Sequence, residues 1–375
     1  MFVTNARIVT RDEERLGSLR AADGKITDLG GTVDTSAAED WQGDYLLPGL
    51  VELHTDNLEK HMSPRPGVQW PALPAVLAHD TQIAAAGITT VLDAVALGEL
   101  KESGARLASL APMLEALAEA RRRQLFRADH LLHLRCELSF PNLEEMFERI
   151  AHAHTPHLVS LMDHTPGQRQ FVKLDKYREY YQGKYGMSDA EMERFTARQI
   201  ENQQRHSAAN RRAVVERCRA NCVPLASHDD ATPAHVAQAV EEGVAISEFP
   251  TTLDAARVAR EHGLGVLMGA PNLVRGGSHS GNVSALELAQ AGLLNGFSSD
   301  YVPVSMLHAA FLLRERAGWS LPMAVATVSA NPAEMVGLED RGEIAPGKRA
   351  DFIRVRENQG VPVVIAAWRA GQRII

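Results

Sequence analysis

The sequence predicts an α/β protein, with a (β/α)8, TIM-like barrel over residues 48–340 and a small β-sandwich formed by residues 1–47 and 341–375. In the middle of the chain, apolar runs of strand length alternate with segments of helical character. Eight such runs can be counted, which is the strand number of this barrel. Both chain ends instead carry short alternating runs punctuated by glycine, a pattern typical of antiparallel strands.

The two end segments are predicted to form one domain because neither has enough strands to bury a core. The N-terminal runs are Phe2–Thr10, Gly17–Gly24 and Lys25–Gly30. The C-terminal runs, Arg349–Arg356 and Val361–Ile375, have the same β-branched content around a turn at Gly371. Together the two sets supply the strands of a small sandwich.

The barrel strands are predicted from eight apolar runs and the turn signals between them. The runs are the one that follows Pro48 and ends at His54, and then Ile88–Asp93, Leu131–Glu137, Leu158–Asp163, Val223–Ser227, Val244–Phe249, Gly265–Gly269 and Gly296–Asp300. A helix ending at a glycine follows each of the last four, as in parallel βα units. A polar insertion around residues 170–222 includes a capping box at Ser188 and Glu191. Three interpretations of this insertion are left open by the sequence: a lid over the site, an oligomer contact, or a solvated helical hairpin with no chemical role.

The composition is that of an ordinary globular protein of 375 residues, with 45% hydrophobic and 23% charged side chains. The net charge of -8 provides no general positive field, so we expect no nucleic-acid partner. The three cysteines make no disulfide framework, and no apolar stretch near the N-terminus suggests a signal peptide or membrane span. We therefore expect a cytoplasmic protein with no membrane partner.

Side chains able to bind a metal stand where the predicted strands end. They are His54, Asp56, Glu137, His164, His228 and Asp300. A lone histidine after a strand is more often a hydrogen-bonded core residue, but the carboxyl ends of barrel strands meet at one face, where active sites are built. The set predicts one or two divalent metal ions, with zinc expected first and manganese or magnesium as alternatives.

Two motifs resemble the amidohydrolase superfamily of metal-dependent hydrolase barrels. They are Leu47–Asp56, with the sequence LPGLVELHTD, and Gly342–Asp351, with the sequence GEIAPGKRAD. This resemblance covers nearly the whole chain. Asp56 stands where the superfamily has the second histidine of its opening pair. Because no lysine stands at the fourth strand, the resemblance makes Glu137 the expected bridging carboxylate.

Further segments resemble the alpha-D-ribose 1-methylphosphonate 5-triphosphate diphosphatases of the carbon–phosphorus lyase pathway. They are Glu52–Pro71, His133–Glu137, Met162–Gln168 and Gly269–Asn282. The resemblance implies a hydrolase of phosphonate catabolism whose partner is a small phosphonate sugar triphosphate. Diphosphate would be released, and the sugar 5-phosphate would remain.

This chemistry predicts a role for each group. Two metal ions bridged by Glu137 would activate a water molecule, and Asp300 would take the proton of that water. His54 and Asp300, with Asp56, would hold one ion, and the two remaining histidines would hold the other. The expected phosphate-binding residues are Lys60, His61, Arg65, Arg275, Gly276, Gly277, Ser278 and His279. Arg135 is a weaker candidate, because its neighbour Glu137 points to the same face of the strand. Without the resemblance, the two glycines are equally consistent with a flexible surface turn.

Two other functions are weighed against this one. The first is hydrolysis of a cyclic amide or an amine, against which the cationic loops argue. The second is a non-catalytic barrel paralogue, against which the intact set of metal-competent residues argues. We also expect a homo-oligomer, in the form of a dimer.

Overall fold

The computed structural model describes residues 1–31, 36–65, 67–99, 105–169, 177–178, 181–183, 186–278 and 281–375. Its strands are β1 Phe2–Val9, β2 Glu14–Ala22, β3 Lys25–Gly30, β4 Glu39–Asp40, β5 Tyr45–Pro48, β6 Leu50–Thr55, β7 Ile88–Leu97, β8 Asp129–Glu137, β9 Leu158–Met162, β10 Leu225–His228, β11 Ile246–Glu248, β12 Gly265–Gly269, β13 Gly296–Ser298, β14 Phe352–Asn358, β15 Val361–Arg369 and β16 Gln372–Arg373. Its helices are α1 Asn57–Met62, α2 Ala72–Ala85, α3 Ala105–Arg122, α4 Leu143–Ala153, α5 Asp189–Asn202, α6 Ala208–Ala220, α7 Pro233–Glu241, α8 Leu253–Glu261, α9 Ala270–Arg275, α10 Ala285–Gln290, α11 Ser305–Ala317, α12 Leu321–Ala326 and α13 Ala330–Met335.

The barrel predicted for the middle of the chain is confirmed. In the described part of the chain, β6 to β13 form an eight-stranded sheet whose neighbouring strands are all parallel. A parallel bridge between Thr55 and Asp300 connects the first strand to the end of the last. The Asp300 N–H donates to the His54 carbonyl at 3.0 Å, and the Asp56 N–H donates to the Asp300 carbonyl at 2.7 Å. Residues predicted to bind metal therefore also form the seam of the barrel.

Gly49 separates the last strand of the N-terminal segment from the first strand of the barrel. Strand β5 pairs with the chain-end strands and ends at Pro48, and β6 begins the barrel at Leu50. The Gly49 N–H donates to the Asp351 carbonyl at 3.0 Å, and a Cβ at this position would lie 2.2 Å from Oγ1 of Thr89. The chain passes too close to β7 for any side chain, so glycine is required where it moves from one sheet to the other.

The chain ends form a second, mixed sheet with strands from both termini. Its order is β16-β15-β14-β5-β1-β2-β3, with β4 beside β1. A bridge between Lys25 and Arg349 brings the β3 edge to the segment before β14, so the sheet curls over its own core. Trp41, Phe352 and Trp368 are buried there, and the Phe352 and Trp368 ring centroids lie 5.1 Å apart. The predicted sandwich is thus a curled sheet packed on aromatic rings.

The insertion predicted around residues 170–222 is described only in part. The capping box is confirmed: the Ser188 side chain accepts from the Glu191 N–H, and the Glu191 carboxylate accepts from the Ser188 N–H at 2.8 Å. Helix α5 begins there and continues through a π-helical segment, Gln203–Ser207, into α6. Among the described residues, no helix is both long and apolar enough to cross a membrane.

A buried chain of polar side chains connects α1 and α2 to the second and third barrel strands. Asn57 lies 3.0 Å from Nδ1 of His79, whose Nε2 lies 2.9 Å from Asp93. The other Asp93 oxygen lies 2.8 Å from Nδ1 of His130, and Nε2 of His130 lies 3.2 Å from Asp80. Burial opposes a charge on His130, but the two carboxylates raise its pKa to about 9. His130 is therefore the charged donor between Asp80 and Asp93.

We expect this charge to make folding stability depend on pH. Since the pKa of His130 rises from 6.5 unfolded to about 9 folded, its contribution is complete below pH 6.5 and is lost as the pH rises through 9. The free energy of unfolding should fall by about 3 kcal/mol over that range. Urea unfolding at pH 6.5 and pH 9 measures the change. The variant His130→Gln should be less stable at pH 6.5 and should lack most of the decline; an equal decline in both proteins would contradict the assignment.

Candidate functional site

A cavity of about 320 Å³ opens at the carboxyl ends of the barrel strands. Its lining includes metal-competent, cationic and apolar side chains. They are His54, Asp56, Arg135, His164, His228, Asp229, Phe249, Pro250, Met268, Gly269, Pro271, Asn272, Arg275, Gly277, Ser278, Asn282, Val283, Asp300 and Tyr301. Of the predicted metal ligands, all but Glu137 line this cavity.

Three donor atoms converge on one wall of the cavity. Oδ2 of Asp229 lies 3.3 Å from Nε2 of His228 and 3.9 Å from Nε2 of His164. Ligands about 2.1 Å from a tetrahedral ion are separated by roughly 3.4 Å, so these distances suit one ion between the three side chains. Asp229 was not predicted from the sequence.

Buried carboxylates behind the histidines orient the rings. Glu248 places one oxygen 2.7 Å from Nδ1 of His54 and the other 2.6 Å from Nδ1 of His228. Burial alone would raise the pKa of Glu248, but the two rings hold it well below its usual range. An ionised carboxylate only accepts hydrogen bonds, so each Nδ1 donates, and in a neutral ring this arrangement leaves the lone pair on Nε2.

Glu137 has the same relation to His164. Its Oε2 lies 2.6 Å from Nδ1 of that ring, and its Oε1 accepts from the His164 N–H at 3.2 Å and from the Ser139 hydroxyl at 3.0 Å. The sequence suggested that Glu137 bridges two ions. In the structure its carboxylate lies behind the His164 ring, where it orients the imidazole and does not line the cavity.

A buried carboxyl group also supports the first strand beside the site. The pairing of β6 with β7 shifts register between Glu52 and Thr55, which leaves the His54 N–H outside the regular ladder. Glu52 accepts from this N–H at 2.7 Å and from the Ser299 N–H at 2.6 Å. Burial raises the pKa of Glu52 to about 8. Glu52 therefore joins the first and last strands where His54 and Asp300 leave them.

Backbone conformations that non-glycine residues rarely adopt occur at three strand ends. Asp229, Phe249 and Asp300 follow β10, β11 and β13 with φ angles of 59°, 55° and 53°. Left-handed residues of this kind persist where the surrounding structure holds them, often at functional sites. All three line the cavity, so the turn at the end of each strand aims its side chain at the site.

Comparisons with known proteins agree with this geometry. A model of the Amidohydrolase family matches residues 81–360. The chain is also 48% identical over 377 residues to the alpha-D-ribose 1-methylphosphonate 5-triphosphate diphosphatase of Escherichia coli (strain K12), covering 100% of both chains. This chain belongs to the amidohydrolase family. The resemblance found in the sequence is confirmed.

Solved structures share the fold at low identity. The N-acetyl-D-glucosamine-6-phosphate deacetylase of Mycobacterium smegmatis is 16% identical, with a TM-score of 0.62 and 100% of both chains covered. The dihydropyrimidinase of Brevibacillus agri NCHU1002 is 13% identical, with a TM-score of 0.60 and coverage of 99% of this chain and 94% of its own. Amidohydrolases generally bind divalent metal ions, and the convergent His164, His228 and Asp229 donors fit such an ion.

The predicted phosphate-binding residues of this amidohydrolase do not all meet at the cavity. Arg275, Gly277 and Ser278 line it. Gly276 ends α9 with a φ of 87°, and its N–H donates to the Leu273 carbonyl at 3.1 Å. The Gly277 N–H donates to the Asn272 carbonyl at 2.8 Å, so the two glycine amides cap the helix. His279 lies outside the described residues.

The cations after the first strand lie outside the cavity lining of the described residues. Lys60 donates to the Tyr301 carbonyl, and Nε2 of His61 lies 3.0 Å from Oε1 of Gln82. Arg65 forms an isolated bridge with Val68 at an exposed turn. These residues follow Asp56 in sequence, but none of the three lines the cavity.

Three residues of the site escaped prediction or were given little weight. Asp229 directly follows His228, and the pair itself was a signal that could have been used. Glu248 lies inside a predicted apolar strand, where a charged residue demands a buried partner. Arg135 was given little weight because Glu137 projects from the same face of β8; the structure places Arg135 in the cavity and Glu137 behind His164.

Proposed function

We propose that this amidohydrolase hydrolyses alpha-D-ribose 1-methylphosphonate 5-triphosphate to the 5-phosphate and diphosphate in phosphonate catabolism. The observation that carries the proposal is one cavity that joins a metal-binding set to two arginines, Arg135 and Arg275. A triphosphate needs such cations, whereas a neutral cyclic amide has no use for them. The full-length similarity to the Escherichia coli diphosphatase supports the same substrate.

A divalent ion, when bound, would lower the pKa of a water ligand and offset charge on the phosphate oxygens. His164, His228 and Asp229 would hold it. His54 and Asp300 line the same cavity and are available to a second ion. Two imidazoles with a carboxylate suit zinc, so we propose zinc ahead of manganese or magnesium.

In the proposed reaction, a water oxygen bonds to the phosphorus nearest the ribose. The bond from that phosphorus to the bridging oxygen of the diphosphate breaks, and diphosphate leaves with the electron pair. Asp300 takes the proton of the attacking water. Burial and the nearby charge of Asp56 raise the pKa of Asp300, which makes its carboxylate a stronger base.

The direct test is to identify the phosphorus product. Metal-loaded protein given ribose 1-methylphosphonate 5-triphosphate should release diphosphate and leave the 5-phosphate, with both followed by ³¹P NMR. Removal of the metal with a chelator should stop the release, and added metal should restore it. Stepwise release of inorganic phosphate, or faster turnover of hydantoin or dihydroorotate, would favour another function.

A further inference from the structure

An arginine from the third barrel strand lines the cavity together with the proposed metal ligands. Arg135 lies on β8, is 8% exposed, and lines the cavity together with His54, His228 and Asp300. Its Nη1 donates to Oδ1 of Asp56, and its Nε lies 3.4 Å from Sδ of Met162. A guanidinium stays charged in proteins, so the fold keeps a permanent positive charge inside the site.

The position of Asp56 explains how this charge is held. Its backbone N–H donates to the Asp300 carbonyl at 2.7 Å, so the backbone that carries this carboxylate is held at the barrel seam. The oxygen that accepts from Arg135 is also the one that lies 3.8 Å from Nε2 of His54. An ion bound to that oxygen would lie next to the guanidinium and would be repelled by it.

Among the described residues, Asp56 is the acidic side chain to which Arg135 donates, because the neighbouring carboxylate pairs with another arginine. Glu59, the next acid along the chain, accepts from Arg106 at 2.7 Å and 3.2 Å. A guanidinium has five N–H donors, whereas one carboxylate oxygen engages Nη1 here. Arg135 therefore has the capacity to bind a second anion while Asp56 holds it in place.

The barrel topology indicates how that second anion would lie in the cavity. In the order of the eight strands, β8 is third and β12 is seventh, so they stand on opposite sides of the closed sheet. Arg135 comes from β8, and Arg275 ends the helix that follows β12. A polyphosphate that lies across the cavity would meet a buried cation at one end and an exposed cation at the other.

We propose that Arg135 is the inner phosphate-binding residue of the cavity and that Asp56 is its positioning residue and not a metal ligand. The proposal rests on the proposed function for the identity of the polyphosphate. Arg135 would contact the phosphate that is attacked, because it lies beside His54 and Asp300, and Arg275 would contact the outer phosphates. Asp56 stands where the superfamily pattern has a metal-binding histidine, and here its role is in substrate binding, through Arg135.

The test compares Arg135→Gln and Asp56→Asn in metal content and in binding of inorganic tripolyphosphate, measured by calorimetry on metal-loaded protein. Both variants should keep the metal stoichiometry of the parent. Arg135→Gln should weaken tripolyphosphate binding by about 10- to 100-fold, the size of one charge-assisted contact. Asp56→Asn should weaken it less, and the double variant should match Arg135→Gln because the two residues act together.

Arg257→Ala, which removes an exposed arginine of α8, is the control and should bind tripolyphosphate as the parent does. If Arg135→Gln does not fold, Arg135→Lys replaces it in the test. Lysine keeps the charge but lacks the planar, forked N–H donors of a guanidinium, so this variant should still bind tripolyphosphate more weakly than the parent. Loss of metal in Asp56→Asn, or parental tripolyphosphate binding in the Arg135 variant, would overturn the inference. Either result leaves the proposed function intact, since that is tested by diphosphate release from the parent.

Discussion

Asp300→Asn should lower kcat by about 10²- to 10⁴-fold, the usual contribution of a general base. The amide has the size of the carboxylate but does not take a proton from water. Asparagine also tolerates the left-handed backbone at this position, where φ is 53°, so the turn after β13 and the barrel seam should survive. The measurements are kcat, KM and metal content on the same sample. Turnover at the parental rate would remove Asp300 from the chemistry.

Asp23→Asn provides a matched control for this variant. Asp23 has almost the same backbone conformation, with φ of 52°, but lies in the turn between β2 and β3 of the chain-end sheet. Its replacement should leave kcat, KM and metal content unchanged. A similar loss of activity in both variants would point to a general effect of the substitution.

His228→Ala should remove most of the bound metal and lower activity by more than about 10³-fold, since it deletes one of the three donors of the convergent set. It also leaves one oxygen of the buried Glu248 without its partner at 2.6 Å, so the free energy of unfolding should fall by about 3 kcal/mol. Elemental analysis and urea unfolding measure the two effects. His152→Ala, at an exposed position on α4, should change neither. Parental metal stoichiometry in His228→Ala would contradict the assigned centre.

The eight barrel strands could be predicted because buried parallel strands need continuous apolar runs, and helices need their own start and stop signals. The sequence placed the boundary between the two domains at residue 48, but it did not identify Tyr45–Pro48 as a strand of the chain-end sheet. Residues on both sides of Gly49 are apolar and buried, so the hydrophobic pattern is the same for either sheet. What separates the two strands is the close approach of Gly49 to Thr89, a contact between segments about 40 residues apart.

The sequence by itself determined which strands end in metal-competent residues, because those residues stand at the ends of the apolar runs that mark the strands. Only the tertiary structure decided which side chains enter the cavity. Asp229 enters through a left-handed turn, Glu137 lies behind His164, and Lys60 donates to the Tyr301 carbonyl without lining the cavity. The physical reason is that a side chain's direction beyond a strand depends on one backbone rotation and on partners from distant segments, neither of which a local pattern contains.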